Sequence, residues 1–132
     1  MTSDEQKRAT TRFFENLNDP DPAVFEELIA EDFTFEIVSG IKEFPPIHGR
    51  KNFALKETEN IRTYFPNGLK LKIHQIICEG PHVAVIAEAD TIVSTGKRYH
   101  QRYNFYLRFE NGLIKEGREY NDTNLIREVF LT

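Results

Sequence analysis

Four side chains between Val83 and Asn121 could move protons if folding brings them onto one surface: Glu88, Asp90, Tyr103 and Glu119. Whether they meet is a question of strand register, and the turns carry that information. Ser94-Thr95-Gly96-Lys97 closes a first hairpin and Glu110-Asn111-Gly112 a second. A two-residue Thr95-Gly96 turn sets Asp90 opposite Gln101, Glu88 opposite Tyr103 and Ile86 opposite Phe105. A three-residue Glu110-Asn111-Gly112 loop, with Gly112 left-handed, sets Tyr103 opposite Glu119 and Gln101 opposite Asn121. One sheet face then carries the polar rows Glu88–Tyr103–Glu119 and Asp90–Gln101–Asn121 above an apolar row, Ile86–Phe105–Gly117. Carboxylates around a phenol over an apolar floor suit acid/base work on a small molecule. Asp90 or Glu119 would be general base and its neighbour general acid, with Tyr103 donating to an enolate oxygen. Glu88, Gln101, Phe105, Asn121 and Ile92 would line the pocket and orient the substrate.

Two local patterns disagree about this face. Val83, Val85, Ala87 and Ala89 form an apolar side opposite Glu88 and Asp90, which on that strand alone would leave the acids in water. The next strand argues the reverse, because Tyr103, Phe105, Leu107 and Phe109 are its apolar side and the turn groups them with the acids. Contradictions of this kind gather at functional sites. The Val/Ala side would then be convex, and with Tyr106 it could pack on a second subunit as a homodimer. Glu119 depends on the second turn, since a two-residue version moves it to the face of Asn104 and Tyr106. If it is inside, desolvation and neighbouring acids raise its pKa and keep it protonated near neutrality.

The elements that must position these groups are legible along the chain. Ser3 to Leu17 predicts a helix with Ala9, Phe13, Phe14 and Leu17 on one side, capped by Ser3 or Asp4. Asp21-Pro22 reads as N-cap and first residue of a second helix carrying Val24, Phe25, Leu28 and Ile29. Phe33 to Val38 is a strand, and Ser39 to Gly49 an irregular loop. A third helix covers Arg50 to Phe65, with Phe53, Ala54, Glu57, Ile61 and Tyr64 near one face, and Pro66-Asn67-Gly68 ends it. Leu69 to Cys78 alternates as a half-buried strand, with Gln75 sharing the side of Leu71 and Ile73. Asp122 caps a last helix holding Leu125, Ile126, Val129 and Phe130. Helices before an antiparallel meander predict an α+β architecture, one domain over residues 1–132, with a curved sheet wrapped round the third helix as a cone.

Composition narrows the classes of function. The chain has 132 residues, net charge −4, eleven Phe, five Tyr and no Trp. No basic cluster argues for nucleic acid, no apolar run is long enough for a bilayer, and the first residues lack a signal-peptide pattern. A single cysteine, Cys78, excludes an internal disulfide and fits a cytoplasmic location. His48, His74, His82 and His100 lack metal-ligand spacing, so no metal and no cofactor is expected. Cys78 reads as a small core residue.

The segment Phe25-Glu26-Glu27-Leu28-Ile29-Ala30-Glu31-Asp32-Phe33 resembles the nuclear transport factor 2-like superfamily. So do His48-Gly49-Arg50, Asn111-Gly112-Leu113-Ile114 and Arg118-Glu119-Tyr120-Asn121-Asp122. Within it the chain is most similar to SnoaL-like polyketide cyclases, ketosteroid isomerases and limonene epoxide hydrolases. The resemblance implies a cone-shaped, cystatin-like α+β fold and a cofactor-free pocket for a small hydrophobic molecule. Epoxide hydrolases of this type use an Asp-Arg-Asp set helped by Tyr and Asn. Here Asp90 and Glu119 fall at the acids, Glu88 at the Arg, and Phe35 and Ile37 at the Tyr and Asn. The isomerase base position is Ile37, and its buried acid finds Phe105. What the resemblance leaves is cyclase-like proton chemistry, cyclisation or isomerisation of a small apolar carbonyl compound, with Asp90 and Glu119 as catalytic groups. The alternative is a non-catalytic ligand-binding or dimerisation module of the same fold.

Overall fold

The computed structural model describes residues 1–132, and most of its elements begin where local chemistry says they should. Helix α1 (Ser3–Glu15) starts with a capping box: Thr2 accepts from the Glu5 backbone while the Glu5 carboxylate accepts from Thr2. The cap is thus one residue earlier than Ser3. Helix α2 (Pro22–Leu28) has Asp21 accepting from Ala23 N at 3.0 Å, as the Asp-Pro pair predicts. Strand β1 (Ile29–Ile37) begins four residues before the expected Phe33. The segment expected to be wholly irregular contains a short strand, β2 (Ile47–His48), paired with Thr34 and Phe35. Helix α3 (Arg50–Tyr64) follows, then β3 (Leu71–Glu79), β4 (His82–Ile92), β5 (Arg98–Glu110), β6 (Leu113–Tyr120) and helix α4 (Thr123–Phe130).

The strands form one curved, unclosed mixed sheet in the order β2-β1-β6-β5-β4-β3. Only β1 and β6 run parallel. This is the expected α+β cone. Phe13, Phe14, Phe25, Phe33, Phe35 and Phe53 meet inside it with ring centroids 4.9–6.4 Å apart. Each buried ring contributes about 1.5–3 kcal/mol, so these phenylalanines, drawn from α1, α2, β1 and α3, fix how the helices sit on the sheet.

Both hairpins differ from expectation by one residue, in opposite directions. The first has a three-residue loop, Ser94-Thr95-Gly96, with Val93 N donating to Lys97 O at 2.9 Å and Gly96 at φ +86°. Asp90 therefore faces His100 and Glu88 faces Arg102, while Ala87 pairs with Tyr103 and Ala89 with Gln101. The second turn has two residues, Asn111 and Gly112, both with positive φ. Such a turn alone would turn Glu119 outward, but Lys115 is an extra residue in β6 and restores its face, so Glu119 pairs with Phe105.

The Val/Ala side of β4 is accordingly core. Val83, Val85, Ala87 and Ala89 are all buried, on the inner face with Phe105 and Leu107. They therefore cannot themselves meet a second subunit, and the conflict between the two strands disappears. A register shift between Ile73 and Gln75 similarly sends Gln75 to solvent and hands the inner positions to Ile76 and Cys78.

Gly117 lies on the inner face between β1 and β5, paired with Phe35 and Leu107. A Cβ there would come within 3.0 Å of the Phe35 ring and 3.3 Å of Leu107. Gly117→Val should therefore lower stability by about 1–3 kcal/mol. A urea midpoint equal to that of the unaltered protein would show that these rings yield freely.

Candidate active site

The inner face of β5 and β6, the cavity side of α3 and the last helix enclose a cavity of about 500 Å³. Alternation along β5 aims Tyr99, Gln101, Tyr103 and Phe105 inward together, and Glu119 arrives beside Phe105 and Ile37. Helix periodicity on α3 brings Lys56, Glu57, Asn60 and Tyr64 to the same space. Phe35, Ile37, Phe44, Phe65 and Leu69 form much of its apolar wall, and Ile126, Phe130 and Leu131 come from α4 and the residue after it.

Three carboxyls line this cavity, Glu43, Glu57 and Glu119, and two of them are strongly perturbed. Glu119, on β6, is pushed up to about 8, first by desolvation and then by the nearby charge of Glu57. Glu57, on α3, is pushed up to about 7 by desolvation alone. The remaining influence on Glu119 works the other way: Asn121 Nδ2 donates to its Oε2 at 2.6 Å and favours the ionised form. Tyr99 and Tyr103 share a hydrogen bond of 2.6 Å between their hydroxyls. Burial, reinforced by neighbouring charge, raises the Tyr103 phenol well above its ordinary value and keeps it a proton-bearing donor. Carboxyls poised near neutrality beside neutral phenols can exchange protons with a bound molecule and hydrogen-bond its oxygen.

The structure separates the residues expected to form one site. Glu119, Tyr103, Phe35 and Ile37 line the cavity. Phe105 is buried, stacked on Tyr103 with centroids 4.8 Å apart, and lies outside the lining. Gln101 is fully buried but acts on backbone: its Oε1 accepts from Asp122 N at 2.9 Å and its Nε2 donates to Asp122 O at 3.0 Å. That paired contact fixes the junction from which α4 departs. Asn121 touches Glu119 and is not part of the cavity wall.

Glu88, Asp90 and Ile92 are on the outer face, because the three-residue first loop reverses their parity. Asp90 is held by Arg98 at 2.7 and 2.9 Å, and that pairing lowers its pKa. Glu88 receives His100 at 2.8 Å and His74 at 2.7 Å, which lower its pKa also. Ile92 is 46% exposed. Asp90 and Glu119 therefore lie on opposite sides of the sheet, and the expected catalytic pair does not exist. Its place in the cavity is taken by Glu57 and Tyr99. Glu57 was visible in the sequence as an acid inside the apolar stripe of Phe53, Ala54 and Ile61. Tyr99 shares the parity of Tyr103.

No group of His, Cys, Asp and Glu has the geometry to hold a metal ion. No helix is long and apolar enough to cross a membrane.

Raised carboxyl pKa values act on stability with a definite sign. The unfolded chain ionises Glu57 and Glu119 near 4.5, whereas the folded protein holds their protons to about 7 and 8. Stability associated with these groups is complete below about pH 4.5 and is lost as pH rises through the folded values. Glu119→Gln should remove much of that loss, raising stability at pH 9 relative to pH 5 by roughly 1–2 kcal/mol after discounting for water entering the cavity. Denaturant titrations at the two pH values measure it, and an equal effect at both would contradict a raised Glu119.

The SnoaL-like domain pattern matches residues 10–117 of the chain. No curated protein matches the sequence. Among solved structures, an epoxide hydrolase of the limonene epoxide hydrolase-like type from M. tuberculosis superposes with TM-score 0.78 at 22% identity. That alignment covers 96% of this chain and 90% of the other. An NTF2-like protein of unknown function from Burkholderia pseudomallei superposes with TM-score 0.85 at 16% identity over 100% of both chains. A protein with a ketosteroid isomerase-like fold from Catenulispora acidiphila, solved with trimethylamine, gives TM-score 0.78 at 14% identity, covering 92% and 90%. At these identities the likeness is one of fold.

Proposed function

Because the chain belongs to the SnoaL-like domain family, within the nuclear transport factor 2-like superfamily, we propose that its cavity carries out cofactor-independent acid/base chemistry on a small, largely apolar carbonyl compound. The observation that carries this reading is the pair Glu57 and Glu119, from a helix and a strand on one aromatic-walled cavity, both raised toward neutrality. Glu57, the lower of the two, is the base. It takes a proton from the carbon next to the carbonyl, and the electron pair of that C–H bond moves onto the carbonyl oxygen as an enolate. Tyr103 and neutral Glu119 donate hydrogen bonds to that oxygen, and Tyr99 supports the Tyr103 hydroxyl. Isomerisation follows when Glu57 returns the proton to another carbon. Cyclisation follows when the enolate carbon attacks a second carbonyl of the same molecule and Glu119 protonates the resulting alkoxide.

A second reading has its own support. The Tyr99 and Tyr103 hydroxyls already bond one another, and Glu57 has no protein hydrogen bond to aim it. That arrangement also suits a module which only binds a small hydrophobic ligand. The two separate on substitution. Aromatic ketones and lactones that raise the melting temperature should be screened for deuterium incorporation next to the carbonyl. Glu57→Gln should cut the exchange rate about 10²-fold or more and Tyr103→Phe about tenfold, while Asp90→Asn on the outer face leaves it unchanged. Ligands that bind without any exchange would favour the binding module.

A cytoplasmic homodimer remains part of this proposal, with the contact moved to the outer sheet face, where Ile77, Ile86 and Tyr120 are exposed. Light scattering at micromolar concentration should give twice the chain mass, and Ile86→Glu should return it to the mass of one chain. A single-chain mass for the unaltered protein would refute the dimer.

A further inference from the structure

Three aromatic rings on the cavity wall meet as a corner. Phe65 just after α3, Tyr99 on β5 and Phe130 on α4 have centroids 5.4–5.9 Å apart, and each pair is inclined by 58–69°. All three line the cavity, and Tyr64 extends the group, its ring 5.6 Å from that of Phe130. Rings inclined in this way turn their faces in different directions, and each face carries the negative lobe of the aromatic quadrupole. Such a wall attracts positive charge. Glu119 is beside it, close enough that its charge adds to burial in raising the Tyr99 phenol. Glu57 shares the same space, and Glu43 lies at its exposed edge. The lining therefore holds three acids against one base, Lys56, and neither Glu57 nor Glu119 is paired with it.

The chemistry of the wall selects among cations. A primary ammonium or a guanidinium carries several N–H donors that must all find acceptors once water is excluded. Here the Tyr99 and Tyr103 hydroxyls are bonded to each other, which leaves little beyond the carboxyls to receive them. A quaternary ammonium has no N–H at all. Its charge is spread over methyl groups that pack on ring faces, so it gives up its water more readily. We propose that the cavity binds a small quaternary ammonium ion, with its methyl-clad head in the corner of Phe65, Tyr99 and Phe130 and its charge balanced by Glu119 and Glu57. This ligand lies outside the carbonyl chemistry proposed above and does not depend on it. Seated there, the cation would hold Glu119 ionised and deprive it of the proton it delivers, so toward a carbonyl substrate it acts as a competitor.

Choline serves as the probe, and the neutral alcohol in which carbon replaces its nitrogen is the control of equal shape. Each is titrated into the full chain near neutral pH, and the methyl proton signals are followed by NMR. Choline should bind at least about tenfold more tightly than the alcohol, with its methyl signals moved upfield by the ring faces. Phe130→Leu, which keeps the wall apolar, should weaken choline about fivefold. Glu57→Gln with Glu119→Gln should erase the preference for choline over the alcohol, and Asp90→Asn on the outer face should leave it intact. No saturable binding of choline, equal affinity for the alcohol, or a preference that survives the paired glutamine substitutions would each overturn the proposal. The comparison of the two ligands on the unaltered protein decides the matter even if a variant does not fold. Failure here leaves the proton exchange of ketones untouched, and absence of that exchange leaves the binding of choline to be measured as before.

Discussion

A β-strand offers its side chains to alternate faces, so one residue more or less in a turn decides which groups see the interior. The cavity depends on that count at three places. The three-residue loop after β4 turns Glu88 and Asp90 outward and brings Val85, Ala87 and Ala89 in. The two-residue turn after β5 would expel Glu119, and the extra residue at Lys115 brings it back. The shift at His74 sends Gln75 out and leaves an apolar inner edge. Each adjustment is small in energy, yet together they choose which acids meet water and which meet phenyl rings.

The consequence is a division of charge across the sheet. On the outer face carboxylates have cations or imidazoles: Asp90 has Arg98, and Glu88 has His74 and His100. Those contacts are solvent-exposed and contribute little to stability. Inside the cavity Glu57 from α3 and Glu119 from β6 have no cation paired with them, and desolvation holds their protons. The same residue type is an inert surface group on one side and a proton reservoir on the other. Burial makes the difference.

Much of this was legible before any coordinates. The Asp21-Pro22 helix start, the α3 span, the Asp122 cap and the α+β order follow from capping and periodicity, which act over a few residues. Alternation along the strands puts Tyr103 and Glu119 inward, but their cross-strand partners are Ala87 and Phe105, not the acids that the turns predict. Thr95-Gly96 and Asn111-Gly112 each fit more than one loop length, and nothing in the local sequence marks Lys115 as an extra residue. The plainer signal in this stretch is Val83-Val85-Ala87-Ala89, an ordinary core stripe. Glu57 carries a similar signal: a carboxyl at a core-facing helix position is costly, and a costly placement marks a site.

The roof of the cavity comes from the far end of the described chain. Phe130 meets Tyr64, Phe65 and Tyr99 with ring centroids 5.5–5.9 Å away, and Lys97 Nζ donates to the carbonyls of Glu128 and Thr132 at 3.0 Å. Walls and floor are synthesised earlier, as α3 and the meander. Until α4 docks, this side of the cavity has no cover, so the desolvation that raises Glu57 and Glu119 depends on the element made last among those that wall it.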